Sequence, residues 1–334
     1  MFVKDEICIF ADFETTIDDP DMTEVWSAAS ITDKDPSDPK YVHMEKNISN
    51  FMNYLLNQVA YQSITVYFHN EKFDGSFIIY WLLKNRRFEP DYEYGPDGEV
   101  RLSSEKPWKM KNESFRYTIS SKGQWYKIHI KHKGKDIVIL DSLKLIPMSL
   151  KKAGKSFKTK HQKLEMEYSN HRPGDTLTQK EIDYIKNDVL VLKECMEYMF
   201  SQGIDTMTIG GACLNEFQKG YGKEDYEKLF PDVTQMKIKD FIGKGREEYN
   251  TNRTVDSFCR RSYHGGFCYV NPKYQGKVLE VGKNVTAISH VDANSHYPSQ
   301  MVSDSGNYYP VGVPVYFKRE QFESIKNTSV SKCY

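Results

Sequence analysis

An apolar run that ends in two carboxylates is the feature that most restricts this chain: Ile7-Cys8-Ile9-Phe10-Ala11-Asp12-Phe13-Glu14-Thr15-Thr16. Residues at i and i+2 of a strand share a face, so Asp12 and Glu14 project together. The apolar side chains of Ile7, Ile9 and Phe10 make this a buried central strand. A buried strand that delivers two acids to its carboxyl end must set them against a cation or bear their repulsion. Asp12 and Glu14 therefore read as metal ligands, and a strand running into an acidic turn is the alternative.

The rest of the chain supplies a frame for that strand. Residues 24–32 alternate as a second strand and 33–39 form a turn, which together make a hairpin. Between 45 and 61 the apolar positions Ile48, Phe51, Met52, Leu55, Leu56 and Val59 recur at helical spacing. Ile64 to Phe68 is another buried strand. It opens into His69-Asn70-Glu71-Lys72-Phe73-Asp74-Gly75, where the period becomes helical and Asp74 stands at the helix start. There an acid is either a partner of the helix dipole or a site residue, and open α/β sheets place their sites at this end of a strand. Residues 86–113, with three prolines and two glycines, read as a surface excursion without chemistry. Strands over 115–121, 124–132 and 136–141 complete a mixed sheet.

Residues 142–164 contain no acid but seven lysines (144, 151, 152, 155, 158, 160, 163) and one histidine. A solvated helix face usually mixes both signs, so this one-sign segment reads as a phosphate-contacting surface. Lys and Arg number 46, as do Asp and Glu, so only local clustering of this kind can mark a nucleic-acid surface. Thr178 and Glu181 form a capping box that opens a helix to Phe200, buried through Ile182, Ile185, Val189, Leu192, Met196 and Met199. Tyr184 and Asp188 lie one turn apart on one of its faces.

The six cysteines show neither a C-x-x-C pair nor zinc spacing, which favours a reducing, cytosolic compartment. No stretch approaches the ~20 apolar residues of a membrane span, and the N-terminus lacks the pattern of an export signal. A chain of 334 residues accommodates two domains or slightly more.

Asp12, Glu14, Asp74 and Asp188 with the phenol of Tyr184 make an oxygen-only set that suits magnesium or manganese. Two such ions are the arrangement that cleaves phosphodiesters. The stretches DFETT (12–16), HNEKFDG (69–75) and YIKND (184–188) resemble, in order and spacing, the three exonuclease motifs of family-B DNA polymerases, specifically the protein-primed polymerases of small tailed phages. The resemblance implies an RNase-H-like α/β fold with a mixed sheet over 1–200, a helical linker over 201–262 and the first strands of a polymerase palm over 263–334. It implies that Asp12, Glu14, Asp74 and Asp188 bind two ions, that Tyr184 orients the attacking water, and that Lys163 is a further catalytic residue. It also implies that Thr15, His69, Asn70, Phe73, Phe77, Ser142, Leu143 and Tyr168 hold a frayed single strand, the aromatic ones by stacking.

Ser262-Tyr263-His264-Gly265-Gly266-Phe267 is similar to the family's Y-x-G-G template motif, with Tyr263, Gly265 and Gly266 at the DNA. Residues 291–301 resemble the first palm motif, in which Asp292 would bind metal and nucleotide and Tyr297 would pack on the sugar; His296 stands where the family has Leu or Met. The family's fingers, thumb and second palm motif have no counterpart before Tyr334, so a truncated or split polymerase is expected. The implied partners are a single-stranded 3′ end, primer-template DNA, a terminal primer protein and a second polypeptide, in the cytoplasm of a host cell. A stand-alone exonuclease with a palm remnant and a non-catalytic fragment that binds DNA or the terminal protein are the alternatives.

Overall fold

The computed structural model describes residues 6–18, 23–85, 87–94, 100–102, 109–166, 171–237, 254–261, 263–266, 268–307, 309 and 311–313. Tyr168, expected at the single strand, lies outside them. The chain divides into two compact units, Met1–Glu216 and Phe217–Tyr334.

The first unit is built on an eight-stranded mixed sheet. Its strands are β1 (Ile7–Thr15), β2 (Val25–Thr32), β3 (His43–Glu45), β4 (Ile64–Phe68), β5 (Glu89–Pro90), β8 (Ser114–Ile119), β9 (Trp125–His132) and β10 (Lys135–Asp141), and β6 (Tyr92–Tyr94) with β7 (Val100–Leu102) forms a separate ribbon. The order in the large sheet is β3-β2-β1-β4-β10-β9-β8-β5. At its centre β1, β4 and β10 run parallel, so their carboxyl ends meet at one edge. The last pair between β1 and β4 is Phe10 with Tyr67, whereas β1 runs on to Thr15. Asp12 and Glu14 therefore lie beyond the end of β4, in the groove where its following loop turns away.

The period of two in β1 divides the core. Ile9, Ala11 and Phe13 pack on one side with residues of α1 (Ile48–Gln58) and α2 (Glu71–Lys84). Phe10 packs on the other with α3 (Leu150–Phe157) and α4 (Gln179–Ser201). Asp12 and Glu14 share the parity of Phe10 and so face the side of α4. Helix α4 opens with the expected capping box, in which the backbone N–H of Thr178 donates to Glu181 and that of Glu181 to the Thr178 hydroxyl. Its buried surface is wider than the single stripe expected: Leu190, Val191, Lys193 and Cys195 are also covered, while Ile182 is half-buried. Packing against both the sheet and α3 requires the extra width.

The excursion over 86–113 carries more structure than its turn residues suggest. Phe88 and Met110 are buried, and these anchors let β5 pair with β8. Among the described residues no helix is long and apolar enough to cross a membrane.

In the second unit, after α5 (Ile209–Tyr221), which crosses the division, come α6 (Lys223–Leu229), α7 (Val255–Arg260) and α8 (His296–Met301). The expected palm strands are not formed among its described residues. Isolated bridges pair Lys237 with Thr254 and Val281 with Val285, and no longer ladder is present there. A strand exists only when a second segment lies alongside to complete its hydrogen bonds.

Candidate functional site

Carboxylate oxygens of Asp12, Glu14 and Asp188 lie within 4.8 Å of one another. Strand β1 supplies the first two and α4 the third. The end of β1 is fixed from behind, where the Phe13 ring meets Phe51 and Phe68 edge-on at 5.0 and 4.9 Å. Asp74, in the first turn of α2, stands outside that tight trio but lines the same cavity of about 420 Å³, together with Tyr184 and Lys163.

So many acids brought together in one groove cannot all stay ionised. Burial, then the charge of Asp188, pushes Asp12 up to about 7, against the pull of Lys163. Burial and the charges of Asp12 and Asp188 push Glu14 up to about 9. Asp74 is raised well above the carboxylate range by burial and by Asp12, and Asp188 is raised by burial despite Lys163 and a hydrogen bond from Tyr184. Oδ1 of Asp74 and Oδ1 of Asp188 are buried without a hydrogen-bond partner. Unpartnered carboxylate oxygens in a low-dielectric cleft are costly unless a cation takes them up, and an all-oxygen set is the chemistry of magnesium or manganese. The residues fit such ions.

Lys163 enters from the loop between α3 and α4. Its ammonium donates to Asp188 Oδ2 and sits 5.2 Å from the centre of the Tyr184 ring, which is itself buried. Next to the acid groove, and sharing Asp12, His69, Asn70, Lys163 and Tyr184 with it, a second cavity of about 760 Å³ leads past Leu143 to the start of α3. Lys151 borders it and is paired with exposed Glu165 at 2.6 Å.

Several residues expected at the single strand converge on these cavities. Asn70 precedes α2 in the left-handed region, φ 79°, a conformation that asparagine tolerates better than most residues. Its backbone N–H and that of Leu143 both donate to Oδ1 of Asp141, each at 3.0 Å. His69 bridges the Ser142 hydroxyl at 2.9 Å and the Met148 carbonyl at 2.8 Å, and Ser142 in turn donates to the Phe68 carbonyl at 2.9 Å. Burial lowers the His69 pKa, against the Met148 carbonyl that raises it. Phe73 is 45% exposed and meets Phe77 edge-on at 5.5 Å, and Phe73 and Thr15 line the acid groove.

Two residues here were not singled out from sequence. Asp141 ends β10 as Glu14 approaches the end of β1, so an acid at a parallel strand's carboxyl end was the available signal. Glu71 gave none. It is fully buried, with only the backbone N–H of Ile128 directed at its carboxylate and no hydrogen bond of good geometry, beneath Gly75, where a Cβ would stand 3.0 Å from the Trp125 ring and 3.1 Å from the Glu71 side chain. A side chain there would have to push these neighbours aside by a few tenths of an ångström.

In the second unit Tyr263, Gly265, Asp292 and Tyr297 are exposed. A Cβ on Gly266 would lie 3.1 Å from the Tyr297 hydroxyl, so the two motifs expected at DNA and at the nucleotide touch there.

The sequence profile described as DNA polymerase type B, organellar and viral, matches residues 56–173 and 162–332. The DNA polymerase of Bacillus phage phi29 is 33% identical over 313 residues, which cover 92% of this chain and 45% of that protein. That of Streptococcus phage Cp-1 is 26% identical over 320 residues, covering 93% and 47%. The chain thus spans about half the length of these relatives. Phi29 DNA polymerase complexed with single-stranded DNA matches in three dimensions with a TM-score of 0.61 at 29% identity, over 81% of this chain and 42% of that one. The same polymerase complexed with primer-template DNA matches with a TM-score of 0.60, over 80% and 41%.

Proposed function

The chain belongs to the type B DNA polymerases of organelles and viruses, and on that footing we propose that its first unit is a 3′ to 5′ exonuclease acting on single-stranded DNA. The observation that carries this reading is the convergence of Asp12, Glu14 and Asp188 within 4.8 Å, with Lys163 bonded to one of them. Asp12, Glu14, Asp74 and Asp188 would hold two magnesium or manganese ions, which when bound supply an activated water and stabilise the leaving 3′ oxygen.

The chain's own groups set the geometry. Tyr184, held between Asp188 and the Lys163 ammonium, orients the attacking water through its phenol. Lys163 directs the scissile phosphate and stabilises the charge that grows on it. Thr15, Asn70 and Phe73 border the acid groove and Leu143 the cavity beside it, and they receive the last nucleotides, with Phe73 offering a ring to a base. His69, Ser142 and Phe77 support them, and Tyr168 is assigned to the strand on the resemblance alone. Double-stranded ends are attacked slowly because they must first fray.

Residues 1–200 are accordingly read as the nuclease, 201–262 as a helical linker and 263–334 as the start of a palm. Tyr263, Gly265 and Gly266 are proposed at the template, and Asp292 and Tyr297 at the incoming nucleotide; the contact between Gly266 and Tyr297 supports placing these motifs together. Primer-template DNA, a terminal protein and a second polypeptide with the remaining polymerase parts are the partners this reading entails, in the cytoplasm of a host cell. The deciding experiment incubates the purified chain with a 3′-labelled single-stranded oligonucleotide and magnesium. Release of mononucleotides that stops on chelation supports the reading, and no release, or release indifferent to chelator, rejects it.

A further inference from the structure

The lysine-rich segment contains one histidine, His161, two residues before Lys163. Its surroundings do not concern phosphate. Nδ1 of His161 lies 2.6 Å from Oε1 of Glu194 on α4, and its backbone N–H donates to Oε2 of the same carboxylate at 3.1 Å. A carboxylate only accepts, so Nδ1 carries the hydrogen. Both partners are largely covered, with side chains 14% and 11% exposed. A residue gripped through ring and backbone by one carboxylate has neither rotation nor translation left.

The loop is fixed at further points. The side-chain amide of Asn187, next to Asp188, donates to the carbonyl of Gln162. The Gln162 amide donates to the carbonyls of Thr159 at 2.8 Å and Gly154 at 3.1 Å, and the Thr159 hydroxyl donates to the His161 carbonyl at 2.6 Å. Gly154 makes the close crossing of α3 and α4 possible: a Cβ there would meet Val191 and Thr159 at 3.1 Å.

The spacing on α4 gives these contacts a purpose. Six residue steps lead from Asp188 to Glu194, about 9 Å of helix. Two residue steps of extended chain from His161 to Lys163 cover about 7 Å. A loop pinned at Glu194 and running back along α4 therefore delivers the Lys163 side chain to Asp188 and stops it from reaching further. A lysine on an unpinned loop would surrender its rotamer freedom on each visit to one position.

We infer that His161 and Glu194 are positioning residues, a clasp that holds Lys163 over Asp188 for the cleavage step. This rests on the nuclease reading and adds to it a part that acts only through Lys163.

The test uses the full chain with His161→Ala, His161→Asn and Glu194→Gln, each alone and combined with Lys163→Ala. Single-turnover cleavage of a single-stranded oligonucleotide is measured with magnesium, and binding is measured in chelator. His161→Ala and Glu194→Gln should slow cleavage about ten- to hundredfold, as for a misplaced catalytic group, with binding changed less than about twofold. His161→Asn, whose amide can replace Nδ1, should recover most of the rate. In the Lys163→Ala background the clasp variants should add less than about twofold; a full additional loss there would mean that the clasp serves general folding, and would overturn the inference. A second reading does not need activity: the side-chain 15N resonance of Lys163, assigned by Lys163→Arg, should move to the position of free lysines in His161→Ala. An unmoved resonance overturns the clasp even if the wild type proves inactive, whereas inactivity with a moved resonance overturns the nuclease reading alone.

Discussion

Lys163 takes one oxygen of Asp188 and leaves the other, Oδ1, buried and without a partner. One carboxylate is thus divided between two tasks, an ammonium on one side and an open coordination position on the other. The same residue can hold a metal and anchor the lysine without exchanging one for the other.

Replacing Asp12 and Glu14 together by alanine is expected to abolish magnesium-dependent release of nucleotides from single-stranded 3′ ends. A loss of at least about a thousandfold, about 4 kcal/mol, is the scale for removing the groups that stabilise developing charge. Cleavage rates of the double variant and the wild type, with and without chelator, check this; a variant that keeps its rate would remove the acids from the chemistry.

Lys163→Ala should lower the rate of cleavage while leaving single-strand affinity intact. Exposed Lys151, Lys152 and Lys155 on α3 should behave oppositely: their removal weakens binding, and each ammonium withdrawn from a phosphate flattens the salt dependence by about 0.7 in the logarithmic slope. Fluorescence anisotropy against salt, beside cleavage rates, separates the two roles. Equal behaviour of all four lysines would reduce Lys163 to another phosphate ligand.

Glu71→Leu should stabilise the protein. Burial, then the neighbouring charge of Asp141, pushes the Glu71 carboxyl up to about 8, with Lys144 offsetting part of it. Its ordinary value in an unfolded chain is about 4.3. The folded state therefore holds a proton that the unfolded chain releases, so the contribution is full below the lower value and is lost as pH rises through about 8. The leucine variant has no such loss, and its advantage should grow between those values, to about 1–3 kcal/mol for the removal of a poorly hydrogen-bonded buried carboxyl. Urea denaturation from acid to alkaline pH measures it, and an advantage independent of pH would contradict the assignment.

Asp141→Ala should weaken single-strand binding, because it frees the backbone N–H groups of Asn70 and Leu143 at once. Asp141→Asn keeps an acceptor oxygen and should retain most of the affinity. Titration of labelled oligonucleotide against the two variants decides between orientation of these segments and a charge effect; equal losses in both would favour charge.

What could be read from the chain alone follows the range of the contacts involved. Asp12 with Glu14 and Tyr184 with Asp188 were legible because strand and helix periods place each pair on one face. Lys163 has no such period and stood out through the one-sign lysine segment it belongs to and then through the resemblance of that segment to a family. Asp141 and His161 were not legible as anchors, since their partners stand 71 and 33 residues away and are brought near by the sheet order and by the packing of α3 on α4. Glu71 was hidden for a different reason: a charged residue at a helix start ordinarily faces water, whereas here that turn of α2 packs closely on Trp125 and Ile128 beside Gly75. In the second unit the palm motif was legible as a string of residues but not as a strand, because a ladder needs a neighbour that local sequence does not specify.

The packing of α4 against β1 also sets a timetable. Asp12 leaves the ribosome 176 residues before Asp188, and at about 5–20 residues per second that is roughly 9–35 seconds of synthesis. For most of that interval the acids of β1 have Asp74 nearby in the chain but neither Asp188 nor Lys163. A chain interrupted anywhere before α4 thus carries Asp12, Glu14 and Asp74 without Tyr184 and Asp188, and its acid groove is left half built.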